Sequence, residues 1–310
     1  MSVIDQNPLV AKIPRGTRRG AADLWLMSVV PLAFILLFQY VPMAGLIIVF
    51  QDFDIFAGFG DSRWVGLANF REVFTDARFW QVLRNTLIIN LYKLVFYFPV
   101  PIVLAIVITE IPHRGIQRVG QTILYLPHFV SWIVIAGLSF TLLGSNGTLN
   151  QVLAAVGLPR VSFLTRPDLF RGIVVATAIW KEAGWGSIIF IAAIISVDPE
   201  LFEAAIMDGA GRLRRIWSIT LPSILSTIVV LLLIRLGYML IWGTEQILAM
   251  YNPTVYSTGD VVGTYVFRTG LGAQRYSYSA TIGFFNSLVG LVMIVGANAL
   301  SRKLSDRSIW

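Results

Sequence analysis

Four ionisable side chains, Lys93, Lys181, Glu182 and Arg235, fall inside long apolar runs. A charge in such a setting is costly and marks a functional candidate. Three of them share a helical face with a ring, an amide or a hydroxyl. Asn90, Lys93 and Tyr97 recur at i, i+3 and i+7; Arg235, Tyr238 and Trp242 repeat that spacing; Thr177, Lys181 and Trp185 lie four residues apart. A cation pairs with a carboxylate, bidentately when it is arginine, and an aromatic face stacks on a sugar ring. The pattern suits an acidic saccharide passing these faces. The same residues have a plain structural use. Glu182 paired with Arg235 or Lys181 would hold helices together, and Lys93 would snorkel to an interface. Asn286 and Asn298 are expected in interhelical hydrogen bonds.

Other chemistries find little support. The chain has no cysteine, which removes thiolates and disulfides, and its two histidines, His113 and His128, are too far apart to propose a metal site. They read as a loop histidine and a packed one. No catalytic constellation and no cofactor site is expected. A Gly-x-x-x-x-Gly-Lys-Ser/Thr phosphate loop is absent, so ATP is not bound here in the P-loop manner. Energy for any ATP-driven work must come from another subunit.

The elements that position these residues are membrane helices. Of 310 residues, 56% are hydrophobic and only 13% charged, about half the charge of an ordinary soluble domain. Mean hydropathy is +0.74. Six runs reach the roughly 20 apolar residues that a bilayer core requires: 24–50, 86–109, 122–143, 172–195, 222–242 and 280–300. The fold class is therefore all-α integral membrane. Pro31, Pro42, Pro99 and Pro101 read as kinks, which neighbouring helices can accommodate. The first run is too long for a signal-peptide core.

Arginine and lysine near the span ends set the orientation. Lys12, Arg15, Arg18 and Arg19 precede span one, Arg114 and Arg118 follow span two, Arg212, Arg214 and Arg215 follow span four, and Arg302, Lys303 and Arg307 end the chain. Both termini are expected in the cytoplasm. The division is a basic arm at 1–21, a transmembrane domain at 22–300 and a tail at 301–310. A net charge of +7 then reads as loop charge and anionic-lipid contact rather than nucleic-acid binding. Loops at 51–85, 144–171 and 243–279 fall outside. Phe70, Val73, Phe74, Phe79 and Trp80 form either an interfacial amphipathic helix or a cover over the helix ends.

The loop at 198–222 carries the most specific pattern. Asp198 is a good N-cap and Pro199 a good first helical residue. Glu200 and Glu203 suit the positive end of a helix. Ala204 and Ala205 leave a backbone that a partner can approach, and Gly209 and Gly211 permit a sharp turn. A short amphipathic helix with Ile216 and Ile219 on its apolar side follows, and Pro222 restarts the chain into span five. The product is a helix–turn–helix on the cytoplasmic face.

These residues resemble the EAA loop of ABC importer permeases: Glu-Ala-Ala, three residues, Gly, nine residues, Ile, one residue, Leu-Pro. Glu203, Ala204, Ala205, Gly209, Ile219, Leu221 and Pro222 fit every position, and Asp208, Gly209 and Ala210 form a typical run. From about residue 24 onward the chain is similar to permeases of type I carbohydrate importers. Trp64–Phe70, Leu83–Lys93, Tyr125–Trp132, Trp180–Gly186 and Tyr251–Tyr256 bring it closest to the aldouronate and alginate oligosaccharide branch.

The resemblance implies six transmembrane helices and a coupling helix, Glu203 to Gly211 with Arg212, docked on an ATPase. It also implies a second permease in a heterodimer, two subunits that bind ATP and Mg, an extracytoplasmic solute-binding protein, and a saccharide cargo crossing the bacterial inner membrane by alternating access. In that family span five contributes to the pathway, which favours Arg235, Tyr238 and Trp242. Neutral oligosaccharides and glycerol-phosphate-type cargo remain alternatives. A secondary transporter would need paired intramembrane carboxylates or broken helices, and Glu182 is the one carboxylate within a span.

Overall fold

The computed structural model describes residues 18–240 and 242–305; most of the basic arm and the last five residues of the tail lie outside these. Helical runs at Trp25–Phe50, Ala77–Thr109, Pro167–Ile195 and Tyr276–Gly296 are long and apolar enough to cross a membrane. Arg212–Ser223 and Leu225–Gly237 make a further crossing bent by 59°. A two-residue ladder, Gln51–Asp52 against Arg63–Trp64, is the single sheet among the described residues.

Span three, where Pro127, His128 and Ser131 interrupt the apolar run expected over 122–143, is broken at those residues. It consists of Arg114–Tyr125, a 3-10 turn at Leu126–Phe129, and Trp132–Leu143. Trp132–Ala155 also has sufficient apolar length, but a turn splits it, and Asn150 ties the segment back by donating to the carbonyls of Gly144 (2.9 Å) and Val161 (2.8 Å). Twelve helical residues rise about 18 Å, short of a core about 30 Å thick. Arg114–Tyr125 before the break is amphipathic rather than apolar throughout. It packs on span four so closely that a Cβ on Gly184 would lie 2.0 Å from the Leu124 carbonyl oxygen.

The break has local causes. Pro127 lacks an N–H to donate, and the Ser131 hydroxyl caps the next helix by accepting from the Val134 N–H at 3.4 Å. The freed carbonyls need donors, because lipid offers none. Lys181 provides them: its Nζ lies 2.6 Å from the His128 oxygen and 2.7 Å from that of Val130. Lys181→Met should therefore destabilise the protein by roughly 2–5 kcal/mol, the cost of two unsatisfied buried acceptors. A thermal melt of the purified assembly reads this; an unchanged melting temperature would mean that those carbonyls find other donors.

Span two contains a π-helical turn, Lys93–Tyr97, just before Pro99. Such turns absorb the registry change that a proline imposes. Span five also departs from expectation. It bends at Ile224 and ends at Gly237, not at residue 242. Gly237 sits against the sixth helix, where a Cβ would lie 2.1 Å from Ile294 Cγ1. Below the bend, Ala105, Ile108, Phe190, Ile191, Ile194 and Ile224 close the core between spans two, four and five.

The segments expected outside are folded and packed. Ile247, Met250, Val255 and Val261 sit in one cluster with Ile89, Ala136, Phe170 and Val174. Val73 and Phe79 are buried against Tyr265, Tyr278 and Ile282, so the 68–80 segment covers the N-terminal end of the sixth helix. Asp76 fastens this corner. It caps the helix that starts at Ala77, accepting from the Arg78 N–H at 2.8 Å, and it accepts from the Tyr265 and Tyr278 hydroxyls at 2.8 and 2.5 Å. Burial works against its ionisation, but these hydrogen bonds outweigh it and hold the carboxyl below its usual range. Asp76→Ala removes a cap and leaves one of the two phenols without an acceptor, the other being able to donate across the 3.3 Å between them, so about 2–4 kcal/mol of stability should be lost. The stabilising contribution is present above the ordinary carboxylate range and disappears as pH falls through the lowered value.

Candidate functional site

Two places in this frame could do work. The first is the hairpin between spans four and five, at the end of the bundle opposite the packed outer segments. Asp198 accepts from the Glu200 N–H at 3.0 Å and caps the helix Pro199–Met207. The C-terminus closes as a Schellman turn. Ala210 N–H reaches the Ala205 oxygen at 2.8 Å, Gly209 N–H reaches that of Ile206 at 3.0 Å, and Gly209 takes φ +74°. Arg212 opens the next helix and lies 4.0 Å from Glu110 at the end of span two. Glu203, Ala204, Asp208, Gly209, Gly211 and Arg212 are exposed, and Ala205 and Ala210 half-buried. Met207 and Trp217, 87% and 71% exposed, project from the same hairpin with Leu213. Rings and methionine bare beside an alanine backbone make a face ready for protein contact.

The second place lies mid-span. The π turn of span two brings Lys93 and Tyr97 toward span five. Arg235 stacks over the Trp242 ring at 4.2 Å and the Tyr97 ring at 5.5 Å, and its Nη2 donates to the Tyr97 hydroxyl at 3.3 Å. Lys93 meets the same Trp242 ring at 4.9 Å and donates to Gln246 Oε1 at 2.8 Å. Trp242 arrives by a turn, not by the helical repeat that its spacing implied, because the helix has already ended. Tyr97, Pro101, Gly186 and Arg235 line a cavity of about 60 Å³ between spans two, four and five. No carboxylate lies within 4.0 Å of Lys93 or Arg235 among the described residues, and Glu182 forms no such pair with Arg235 or Lys181.

The remaining sequence candidates divide. Lys93 is 1% exposed, so it neither snorkels nor reaches an open path. Asn90 is buried and donates to the Thr86 oxygen at 2.9 Å. Lys181 is occupied by the span-three carbonyls. Trp185 is half-exposed and stacks on His128, with centroids 4.4 Å apart and planes 2° from parallel. Tyr238 is exposed and stands apart from the Arg235 cluster. Asn286 Oδ1 has no hydrogen-bond partner among the described residues. The sequence reading missed Gln246, which looked like part of an outer loop. Its signal was Gly243, whose φ of +85° turns the chain back into the bundle.

Residues 97–307 match the family described as the binding-protein-dependent transport system inner membrane component. Protein LplB of Bacillus subtilis is 42% identical over 93% of this chain and 91% of its own length. The polygalacturonan/rhamnogalacturonan transport system permease protein YteP of the same organism is 42% identical over 93% and 90%. A chain in the crystal structure of a bacterial ABC transporter involved in the import of the acidic polysaccharide alginate is 42% identical, with a TM-score of 0.86 over 93% of this chain and 97% of that one. A second structure of a bacterial alginate ABC transporter, in complex with an alginate pentasaccharide-bound periplasmic protein, gives the same score at 41% identity. The fold and the length of the match leave one assignment: the chain is a membrane permease of the family of binding-protein-dependent transport system inner membrane components.

Proposed function

We propose that this permease moves an acidic, uronate-type oligosaccharide into the cytoplasm as half of a permease heterodimer in the bacterial inner membrane. The observation that carries this is the Arg235 site. A guanidinium lies over the Trp242 ring and beside the Tyr97 ring, a second cation lies behind it, and among the described residues no carboxylate comes within 4.0 Å of either, the negative charge felt by Lys93 being that of Glu182. An intramembrane guanidinium with no carboxylate in direct contact has donors for an anionic cargo, and the neighbouring rings offer sugar-stacking faces. The alginate and polygalacturonan relatives support the same cargo class.

In this reading both termini are cytoplasmic, and the hairpin Glu203 to Arg212 is the coupling element. It seats on one of two ATP-binding subunits, which hold ATP and Mg; this chain holds neither. An extracytoplasmic solute-binding protein docks on the packed outer segments. When the ATPases close, the hairpin shifts, and the two permeases exchange an inward-open cavity for an outward-open one. A neutral oligosaccharide is the second reading, favoured by the exposed rings of Trp185 and Tyr238.

Proteoliposomes holding the whole transporter separate these. Uptake of a labelled oligouronate should require ATP and the binding protein, and should exceed that of its carboxyl-reduced counterpart by about tenfold or more, the worth of one charge-assisted pair. Equal uptake of the two would sink the acidic cargo. Uptake driven by an ion gradient without ATP would sink the importer.

A further inference from the structure

Lys93 occupies a junction that touches no open path, yet it sits directly behind the Arg235 site. Its ammonium donates to Gln246 Oε1 at 2.8 Å. The amide of Gln246 then donates in turn to the Val174 oxygen at 2.6 Å and the Thr177 hydroxyl at 2.9 Å. Span two, span four and the outer helix Thr244–Met250 thus meet at two buried side chains. The backbone comes equally close: a Cβ on Gly243 would lie 2.2 Å from Lys93 Nζ. One residue earlier, Trp242 carries Lys93 at 4.9 Å and Arg235 at 4.2 Å from its ring centre, with the Tyr97 ring edge-on at 5.2 Å.

A buried lysine is a poor way to gain stability, since an apolar side chain of similar volume commonly serves as well or better. What it can supply is a unique geometry. We infer that Lys93 is a positioning residue: through Gln246 and Trp242 it fixes the turn after span five and so aims the Arg235 guanidinium. Without the ammonium, the turn loses its hydrogen-bonded anchor to span two, Trp242 is held there by the Tyr97 ring alone, and Arg235 loses a fixed surface on which to stack. The inference rests on the reading of Arg235 as a carboxylate contact, and it assigns specificity to a residue that never meets the cargo.

A double-mutant cycle in the assembled, reconstituted transporter tests it, with the half-saturating oligouronate concentration as readout. Lys93→Met should raise that concentration about tenfold and change the maximal rate much less. Arg235→Ala should raise it at least as far. Adding Lys93→Met to Arg235→Ala should then raise it less than about twofold further, because an absent arginine cannot be misplaced. A merely structural lysine would instead multiply the two effects, or lower the maximal rate alone, and either result overturns the inference while leaving the acidic cargo standing. An unchanged Arg235→Ala overturns both. If Lys93→Met fails to assemble, Gln246→Asn withdraws the amide from the same junction without altering charge, and the same expectations and the same contrary results apply to it.

Discussion

Gly209→Val is expected to abolish ATP-driven uptake, by on the order of a hundredfold, while the chain still enters the membrane. Gly209 takes φ +74°, a conformation that costs an L-residue about 1–2 kcal/mol and costs a β-branched one more. Nothing lies within 4 Å of a Cβ placed there, so the effect is not a clash. The strain falls on the Schellman turn that sets the angle between Pro199–Met207 and the helix beginning at Arg212. That turn is peripheral to the bundle, and a strain of this size is unlike a core cavity; global stability should fall little. In the proposed coupling role, however, the angle decides where Glu203, Met207 and Trp217 stand against an ATPase, and a lever seated wrongly transmits nothing. Gly211 is the contrast within the same hairpin. At φ −67° it is conformationally ordinary, so Gly211→Ala should retain at least about half of the uptake. Copurification of the ATPase subunits and uptake by proteoliposomes are the two measurements. A Gly209→Val transporter that keeps its ATPases and transports normally would remove the coupling role from this hairpin.

The hairpin was legible because its signals are local. Asp198, Pro199, Ala204, Ala205 and Gly209 each state a backbone preference within a few residues, and the observed cap and turn follow them. The spans were legible for a similar reason, since apolar length is a property of a segment. Sequence periodicity placed Lys93 with Tyr97, but it could not say which helix they face. Their meeting with Arg235 and Trp242 joins residues more than 130 positions apart, and a registry set by a π turn and a glycine turn has no period. Trp242 shows the limit well: its i+7 spacing from Arg235 implied one helical face, while the contact arises from a chain that has left the helix. The break in span three was half visible. Pro127 and Ser131 stood out as interruptions, but the partner that makes a mid-span break tolerable, Lys181, lies on another helix and looked like a candidate for cargo.

Arg235→Ala should then act on charge recognition and on little else. Among the described residues the guanidinium has one hydrogen bond, to the Tyr97 hydroxyl at 3.3 Å, longer than a strong charge-assisted bond. The Trp242 ring lies 4.2 Å and the Tyr97 ring 5.5 Å from its central carbon, and no carboxylate lies within 4.0 Å of it among the described residues. Its donors are therefore oriented and largely unspent, the state of a group whose partner arrives with the cargo. Losing a charged hydrogen bond of about 1.5–3 kcal/mol predicts a fall of roughly 10- to 150-fold in oligouronate uptake efficiency, while the carboxyl-reduced oligosaccharide changes by no more than about threefold. Arg235→Lys keeps the charge but not the planar fork or the stacking, so it should fall between the two. Tyr97→Phe removes one weak bond to the guanidinium and leaves the ring contact, and should cost only about 1 kcal/mol, near fivefold. The ratio of the two uptake efficiencies is the quantity that decides. If Arg235→Ala lowers acidic and neutral uptake equally, the arginine is a strut between spans two and five. If it lowers only the acidic one, a single mid-membrane guanidinium sets the charge that this permease admits.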